Sequence, residues 1–360
     1  MSEGADESGD LRDRNARPLR IAVLARVAMA VRPGEGESIE QLVFLLTEEL
    51  VRRGHAVTLF ATGDSETSAE LRSLYSRGYT QDASIWDWRL AEAMHAARAF
   101  EQADEFDLIH SHDHHFALPF TRLVPTPVVT TYHVELDKDI AGVYARCSEA
   151  HLVAVSDWQR STLAGIADVP VIPHGIDVGA FPFAPERGDY LLFLGRMIPD
   201  KAPVDAIRIA QQAGMPIVLA GPPSDYFTEA VEPLVDGHAV RYAGAVGNDE
   251  RNRLLAGAAA LVFPISYPEP FGLVMVEAMA CGTPVVATAV GAAPEIIEPG
   301  VTGHVGATAA DLVELVATTV ALDRRRVRER AVERFGYARM VDDYEALYAD
   351  VVARRGAPAP

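Results

Sequence analysis

Three things are scarce in this chain of 360 residues: cysteine, lysine and uninterrupted apolar sequence. The two cysteines, Cys147 and Cys281, lie far apart. They form neither a disulfide framework nor a metal-ligand spacing, so a reducing cytoplasm is the expected compartment. The longest apolar stretches, 254–265 and 271–294, are broken by Gly257 and Pro264 and by Glu277 and Pro284. Neither reads as a bilayer span, so no transmembrane segment is expected. Residues 1–17 are acidic and polar with no apolar h-region. They predict a disordered tail and no secretory signal. Only Lys138 and Lys201 are lysines among 32 basic residues; against 51 acidic ones the formal net charge is −19. Such a surface repels polyphosphate, so nucleic acid is not an expected partner, and a small anion requires a local concentration of positive charge.

What is present is ordinary for a globular chain, 49% hydrophobic and 23% charged, and its length predicts two domains. Short apolar runs at Ile21–Leu24, Val57–Ala61, Asp107–His110, Val128–Tyr132 and His151–Ser156 read as strands. Helical patterns fall between them. Ile39, Leu42, Val43, Leu46 and Leu50 make one apolar face, with Ser38 and Gln41 fitting a capping box and Gly54 the stop. Ala91–Ala103 reads as another helix. After a Pro- and Gly-rich linker over Pro170–Pro185, the alternation restarts with Tyr190–Leu194, Ile217–Ala220, Val240–Ala243, Leu261–Phe263 and Val285–Ala287. The fold class predicted is α/β, two doubly wound Rossmann-like domains over 18–178 and 186–335 facing across a cleft. The charged stretch Asp323–Arg334 reads as a solvated helix face, and Cys281 as packing.

Two motifs point to chemistry. In Glu269-Pro-Phe-Gly-Leu-Val-Met-Val-Glu277, a Pro-bracketed loop after a strand presents Glu269, and Phe271-Gly272 opens a helix containing Glu277. The N–H groups of Gly272 and Leu273 at that helix start suit a phosphate, and Glu277 suits two vicinal hydroxyls such as a ribose offers. Gly195, Arg196 and Lys201 follow the strand ending at Leu194. A guanidinium fork and an ammonium at a strand's carboxyl end suit a diphosphate.

Together these residues resemble the retaining nucleotide-sugar glycosyltransferases of glycosyltransferase family 4, which have the GT-B fold. The resemblance covers about residues 19–350 and is most specific over Arg241–Glu295, with the carboxylate pair, Ala278–Pro284 and Gly291–Glu295. Gly195-Arg196, Lys201 and Pro173–Asp177 add to it. It implies transfer of a sugar from a nucleoside diphosphate sugar, UDP- or GDP-linked, to a hydroxyl-bearing acceptor, with no cofactor and no metal. It implies that Arg196 and Lys201 hold the donor diphosphate, Glu277 the ribose, and Glu269 the transferred sugar, with Gly272 and Leu273 as backbone donors. Phe271 belongs to the same donor site. His133 matches the family histidine near the sugar's reacting face. The nucleotide base is expected beside Gly221–Pro223 and Gly244–Gly247, Gly244 and Val246 included. A helix over 336–353 is expected to pack back on the first domain.

One departure concerns the acceptor side. Family members often carry two adjacent glycines before the first long helix, where this chain has Glu37 and Ser38, preceded by Gly34 and Gly36. Gly36, Glu37, Ser38, His110 and His114 are the acceptor or loop candidates. The tract from His110 to His115 also invites a metal reading, but the resemblance places a polar histidine-containing turn there. A nicotinamide oxidoreductase shares doubly wound domains, yet Gly34-x-Gly36 lacks the third glycine of that fingerprint. A nucleotide-sugar epimerase or phosphorylase of related architecture, and a non-catalytic nucleotide-sugar-binding protein, are compatible with the same motifs.

Overall fold

The computed structural model describes residues 17–34, 38–135, 138–147, 149–163, 166 and 168–355. Nearly all of the tail expected over 1–17 lies outside them. The first sheet contains β1 (Arg20–Leu24), β2 (Ala56–Phe60), β3 (Glu70–Arg72), β4 (Leu108–Ser111), β5 (Val128–Thr131) and β6 (Ala150–Val153), in the spatial order β3-β2-β1-β4-β5-β6. The second contains β7 (Leu191–Leu194), β8 (Ile217–Ala220), β9 (Val240–Tyr242), β10 (Ala260–Phe263), β11 (Val285–Thr288) and β12 (Gly303–Gly306), in the order β12-β11-β10-β7-β8-β9. All these pairings are parallel. Each sheet therefore has the same winding, and its direction reverses between the first and fourth strands of the unit, β1/β4 and β7/β10.

The helices flanking the first sheet are α1 (Ser38–Arg52), α2 (Trp88–Phe100), α3 (Lys138–Tyr144) and α4 (Asp157–Thr162). In the second half they are α5 (Pro203–Gln212), α6 (Asn248–Gly257), α7 (Leu273–Ala280), α8 (Ala293–Ile296), α9 (Ala309–Thr319), α10 (Arg324–Phe335) and α11 (Tyr337–Arg355). The apolar face of α1 is buried at Leu42, Val43, Leu46 and Leu50, and its helix begins at Ser38. Gln41 reaches back beyond Ser38: its Oε1 accepts from the Gly34 N–H at 3.2 Å, and its Nε2 donates to the Arg32 carbonyl at 2.9 Å. Met340, Val341, Tyr344, Tyr348 and Val351 of α11 share that core, so the end of the chain is docked on the first domain. Among the described residues no helix is long and apolar enough to cross a membrane.

Two strands carry no sequence signal of their own. β3 is a three-residue polar edge, and β12 reads Gly-His-Val-Gly. At Gly303 a Cβ would fall 2.0 Å from the Val285 carbonyl oxygen, so the glycine is a condition of pairing with β11.

The stretch Asp323–Arg334 corrects the solvated-face expectation. Arg324 is only 5% exposed. Its guanidinium donates to the carbonyls of Ala184 (2.7 Å), Ala258 (2.8 Å) and Ala256 (2.8 Å) and to Thr283 Oγ1 (2.7 Å). Arg328 donates to the carbonyls of Phe181, Ala280 and Val178, and Arg334 to those of Ile296 and Glu295. One row of arginines thus satisfies carbonyls at loop and helix ends that would otherwise be buried without donors. Arg325 and Arg326 face solvent as expected.

Candidate active site

Ligands of doubly wound sheets bind outside the carboxyl ends of the strands where the winding reverses. In the second domain those ends are Leu194 of β7 and Phe263 of β10, and the two sequence motifs leave from them. Gly195 and Arg196 follow β7. The loop 264–272 follows β10 and is tied to the first by the Ser266 N–H donating to the Asp200 carbonyl at 3.2 Å. Gly221, at φ 144°, lies so near this turn that a Cβ on it would meet the Gly195 oxygen at 1.9 Å. Gly244 completes this floor: its carbonyl accepts from the Gly221 N–H at 2.8 Å, and Val246 is half-buried two residues on.

Lys201 Nζ forms an ion pair with Glu269 Oε2, with Lys201 16% and Glu269 25% exposed. The loop that delivers Glu269 rests on Gly291, where φ is 61° and a Cβ would strike the Glu269 backbone at 2.4 Å. The Ala292 N–H then donates to the Glu269 carbonyl at 3.0 Å. Arg196 is exposed and has no carboxylate partner among the described residues. Phe271 is buried, and Gly272, at φ 83°, is the N-cap of α7, so the helix begins at Leu273 with its first N–H groups toward this loop.

Glu277 is only 13% exposed and pairs with Arg251 of α6 at 3.3 Å. Burial pushes its carboxyl above the usual carboxylate range, and the Arg251 charge opposes that rise. Arg251 is a site residue that the sequence does not reveal: nothing in Asn248–Arg253 distinguishes it from a solvated arginine until the fold sets α6 beside α7. Cys281, one turn on, is fully buried with its thiol pushed up to about 12, consistent with packing.

Across the cleft, His133 follows β5. It is sandwiched between His112 and His174, with ring centroids 5.2 and 5.1 Å away. Nothing in the sequence marks either neighbour for this; only tertiary structure brings the ends of β4 and β5 to the inter-domain turn. His110 corrects an expectation. It is fully buried, with Nδ1 2.6 Å from the Tyr348 hydroxyl and Nε2 2.8 Å from Thr131 Oγ1. Nδ1 ties α11 to the sheet and Nε2 ties β4 to β5, so both ring nitrogens are used and it is no acceptor contact. His114 is half-buried at φ 63°, near the Arg26 charge. Gly36 and Glu37 lie outside the described residues, as does the Ser38 side chain. No group of three or more His, Cys, Asp or Glu among the described residues is placed to hold a metal ion.

The two halves meet through specific bonds around the cleft. The Glu295 carboxylate of α8 accepts from the N–H groups of Asp157 (2.8 Å) and Trp158, so the second domain caps the start of α4 in the first. Asn248 donates to the Gly34 carbonyl. His174 packs edge-on against Phe271 at 4.9 Å.

Two facing sheets of identical winding, with paired charges at the reversal point of one and a histidine at the rim of the other, make up the GT-B architecture. The comparisons with known proteins agree. The model for glycosyl transferases group 1 matches residues 180–334, and that for glycosyltransferase family 4 matches residues 39–180. The chain belongs to the family 4 glycosyltransferases. It is 29% identical to the glycogen synthase of Mycobacterium tuberculosis over 71% of this chain and 70% of that one. It is 27% identical to the D-inositol 3-phosphate glycosyltransferase of the same species, over 94% of this chain and 85% of that one. Among solved structures, AviGT4, a glycosyltransferase involved in avilamycin A biosynthesis, superposes with a TM-score of 0.71 at 27% identity, covering 94% of this chain and 99% of that one. Anabaena HepE, solved in complex with UDP and glucose, superposes at 0.69 with 18% identity, covering 92% of this chain and 100% of that one, and shares the fold.

Proposed function

We propose that this glycosyltransferase moves a hexosyl unit from a nucleoside diphosphate sugar, UDP- or GDP-linked, to a hydroxyl acceptor with retention of anomeric configuration. The observation that carries the reading is the Lys201–Glu269 pair at the β7/β10 reversal, with Arg196 and the start of α7 around it. A diphosphate entering there exchanges one carboxylate partner of Lys201 for phosphate oxygens and releases Glu269 to the sugar hydroxyls. As the bond from the anomeric carbon to the β-phosphate oxygen breaks, its electron pair stays on that oxygen. Arg196, Lys201 and the α7 N–H groups stabilise the charge in place, which is where most catalytic stabilisation arises. The acceptor oxygen bonds to the anomeric carbon on the face the phosphate leaves, and its proton passes to the departing phosphate. These cations supply the charge, so the proposed reaction needs no metal or cofactor.

A thermal-shift panel of uridine, guanosine and adenosine diphosphates and their sugars tests the donor class. One nucleotide family is expected to stabilise the protein by about 2.7 kcal/mol at a hundred times its Kd. No stabilisation by any of them would contradict the reading.

Arg251 gives a pH-dependent expectation. Both ribose hydroxyls can donate to Glu277 only while it is ionised, so nucleotide affinity is highest above its raised pKa and falls as pH drops through it. Arg251→Ala removes the charge that holds that pKa down, so the loss of affinity moves to higher pH. Calorimetric titration of the preferred nucleoside diphosphate between about pH 5 and 8 measures it; identical profiles for both proteins would refute the pairing's role.

A further inference from the structure

His112, His133 and His174 are drawn from the ends of β4 and β5 and from the inter-domain turn, and their rings are stacked in a row. His112 Nδ1 is 2.9 Å from His133 Nε2, and His133 Nδ1 is 3.4 Å from His174 Nε2. The outer nitrogens, His112 Nε2 and His174 Nδ1, are buried with no protein partner. A neutral imidazole has one donor and one acceptor nitrogen. His133 therefore donates to one neighbour and accepts from the other, and all three rings must point their N–H groups the same way along the row. Burial holds all three neutral, helped by neighbouring rings at His112 and His133 and by the Arg339 charge at His174, whose pKa is pushed down to about 3.

The direction is set at the hinge. Arg339 of α11 donates to the carbonyls of Pro173 (2.6 Å) and His174 (3.3 Å), so a positive charge lies against His174. Beside a guanidinium a lone pair on His174 Nδ1 is favoured over an N–H. That places the His174 proton on Nε2, from which it is donated to His133 Nδ1. His133 in turn carries its proton on Nε2 and donates to His112 Nδ1. Arg26 and His114 are the other titratable groups whose field reaches His133, and both oppose its protonation.

We propose that His112 and His174 are positioning residues: they fix His133 as the neutral Nε2–H tautomer and keep its Nδ1 lone pair as the acceptor for a hydroxyl of the transferred sugar. The 3.4 Å contact is the weaker of the two, so it is the one a sugar hydroxyl replaces at Nδ1, while the 2.9 Å bond from His133 Nε2–H to His112 holds the tautomer. The assignment of the sugar to His133 rests on the function proposed above; the tautomer does not.

The test is long-range nitrogen–proton correlation NMR on the full chain labelled at histidine, with His133 identified by its loss in His133→Phe. In the wild type His133 is expected as the Nε2–H tautomer at neutral pH. In His174→Phe, which keeps the ring packing against Phe271, and in His112→Phe it is expected as a mixture of tautomers. Turnover by His174→Phe is expected to fall about tenfold or more, with donor KM changed less than about threefold. His174→Gln, whose amide can still donate, is expected to recover most of the loss. A wild-type His133 protonated on Nδ1 overturns the proposal, as does an unchanged His133 spectrum or an unchanged kcat in His174→Phe. If His112→Phe does not fold, the wild-type spectrum and the two His174 variants decide. A wild type that turns over no nucleotide sugar refutes the proposed function, while the tautomer measurement still stands.

Discussion

Lys201→Ala is expected to lower turnover by about a hundredfold or more, and Arg196→Ala by a similar factor. Each removes a fixed positive charge from where the departing phosphate would gather negative charge. Lys201 is the sharper test, because its ammonium is held by Glu269 and therefore already aimed. The same pairing makes a second outcome part of the expectation. Glu269→Gln frees Lys201 for phosphate, so nucleoside diphosphate affinity should hold or rise while turnover falls, since the lost carboxylate served the sugar. Single-turnover rates at saturating donor check the first, and calorimetry the second. A Lys201→Ala rate within about twofold of wild type would end the diphosphate assignment.

Arg324→Ala is expected to be the most destabilising single change outside the cleft, at about 4 kcal/mol. The variant strands the carbonyls of Ala184, Ala256 and Ala258 in a buried site and takes one donor from Thr283 Oγ1, which keeps its bond to the Leu255 carbonyl; each abandoned carbonyl costs about 1–3 kcal/mol where water does not reach it. Those acceptors come from the linker, α6, the start of β10 and the turn after α7. The loss should therefore appear as a midpoint lower by about 12 °C in thermal circular dichroism, with faster amide exchange in α7 and α10. Arg324→Lys should recover little, since one ammonium does not span four acceptors in a plane. A midpoint within about 2 °C of wild type would show that water replaces the guanidinium.

Much of the architecture was legible because buried parallel strands are short apolar runs, and those runs stand out between amphipathic helices. Ile217–Ala220 was read to the residue, and the other apolar strands to within a few positions. Two of the four edge strands were not legible. β3 has too little apolar surface to show a period, and β12 owes its sequence to the backbone beside it. The arginines of α10 misled for a related reason: a guanidinium that satisfies buried carbonyls has the same letter as one in water.

By itself, the sequence determined two doubly wound halves and the motif residues that leave β7 and β10, because strand-end loops are local and glycine, proline and charge at fixed spacing have local consequences. Tertiary structure alone decided which charges neutralise each other. The Lys201–Glu269 and Arg251–Glu277 pairs, the row of His112, His133 and His174, and the Glu295 cap on α4 join residues 21 to 138 positions apart in the chain. The physical reason is that ion pairing and tautomer depend on distances of a few ångströms, which chain order does not encode until the sheets have wound and faced each other.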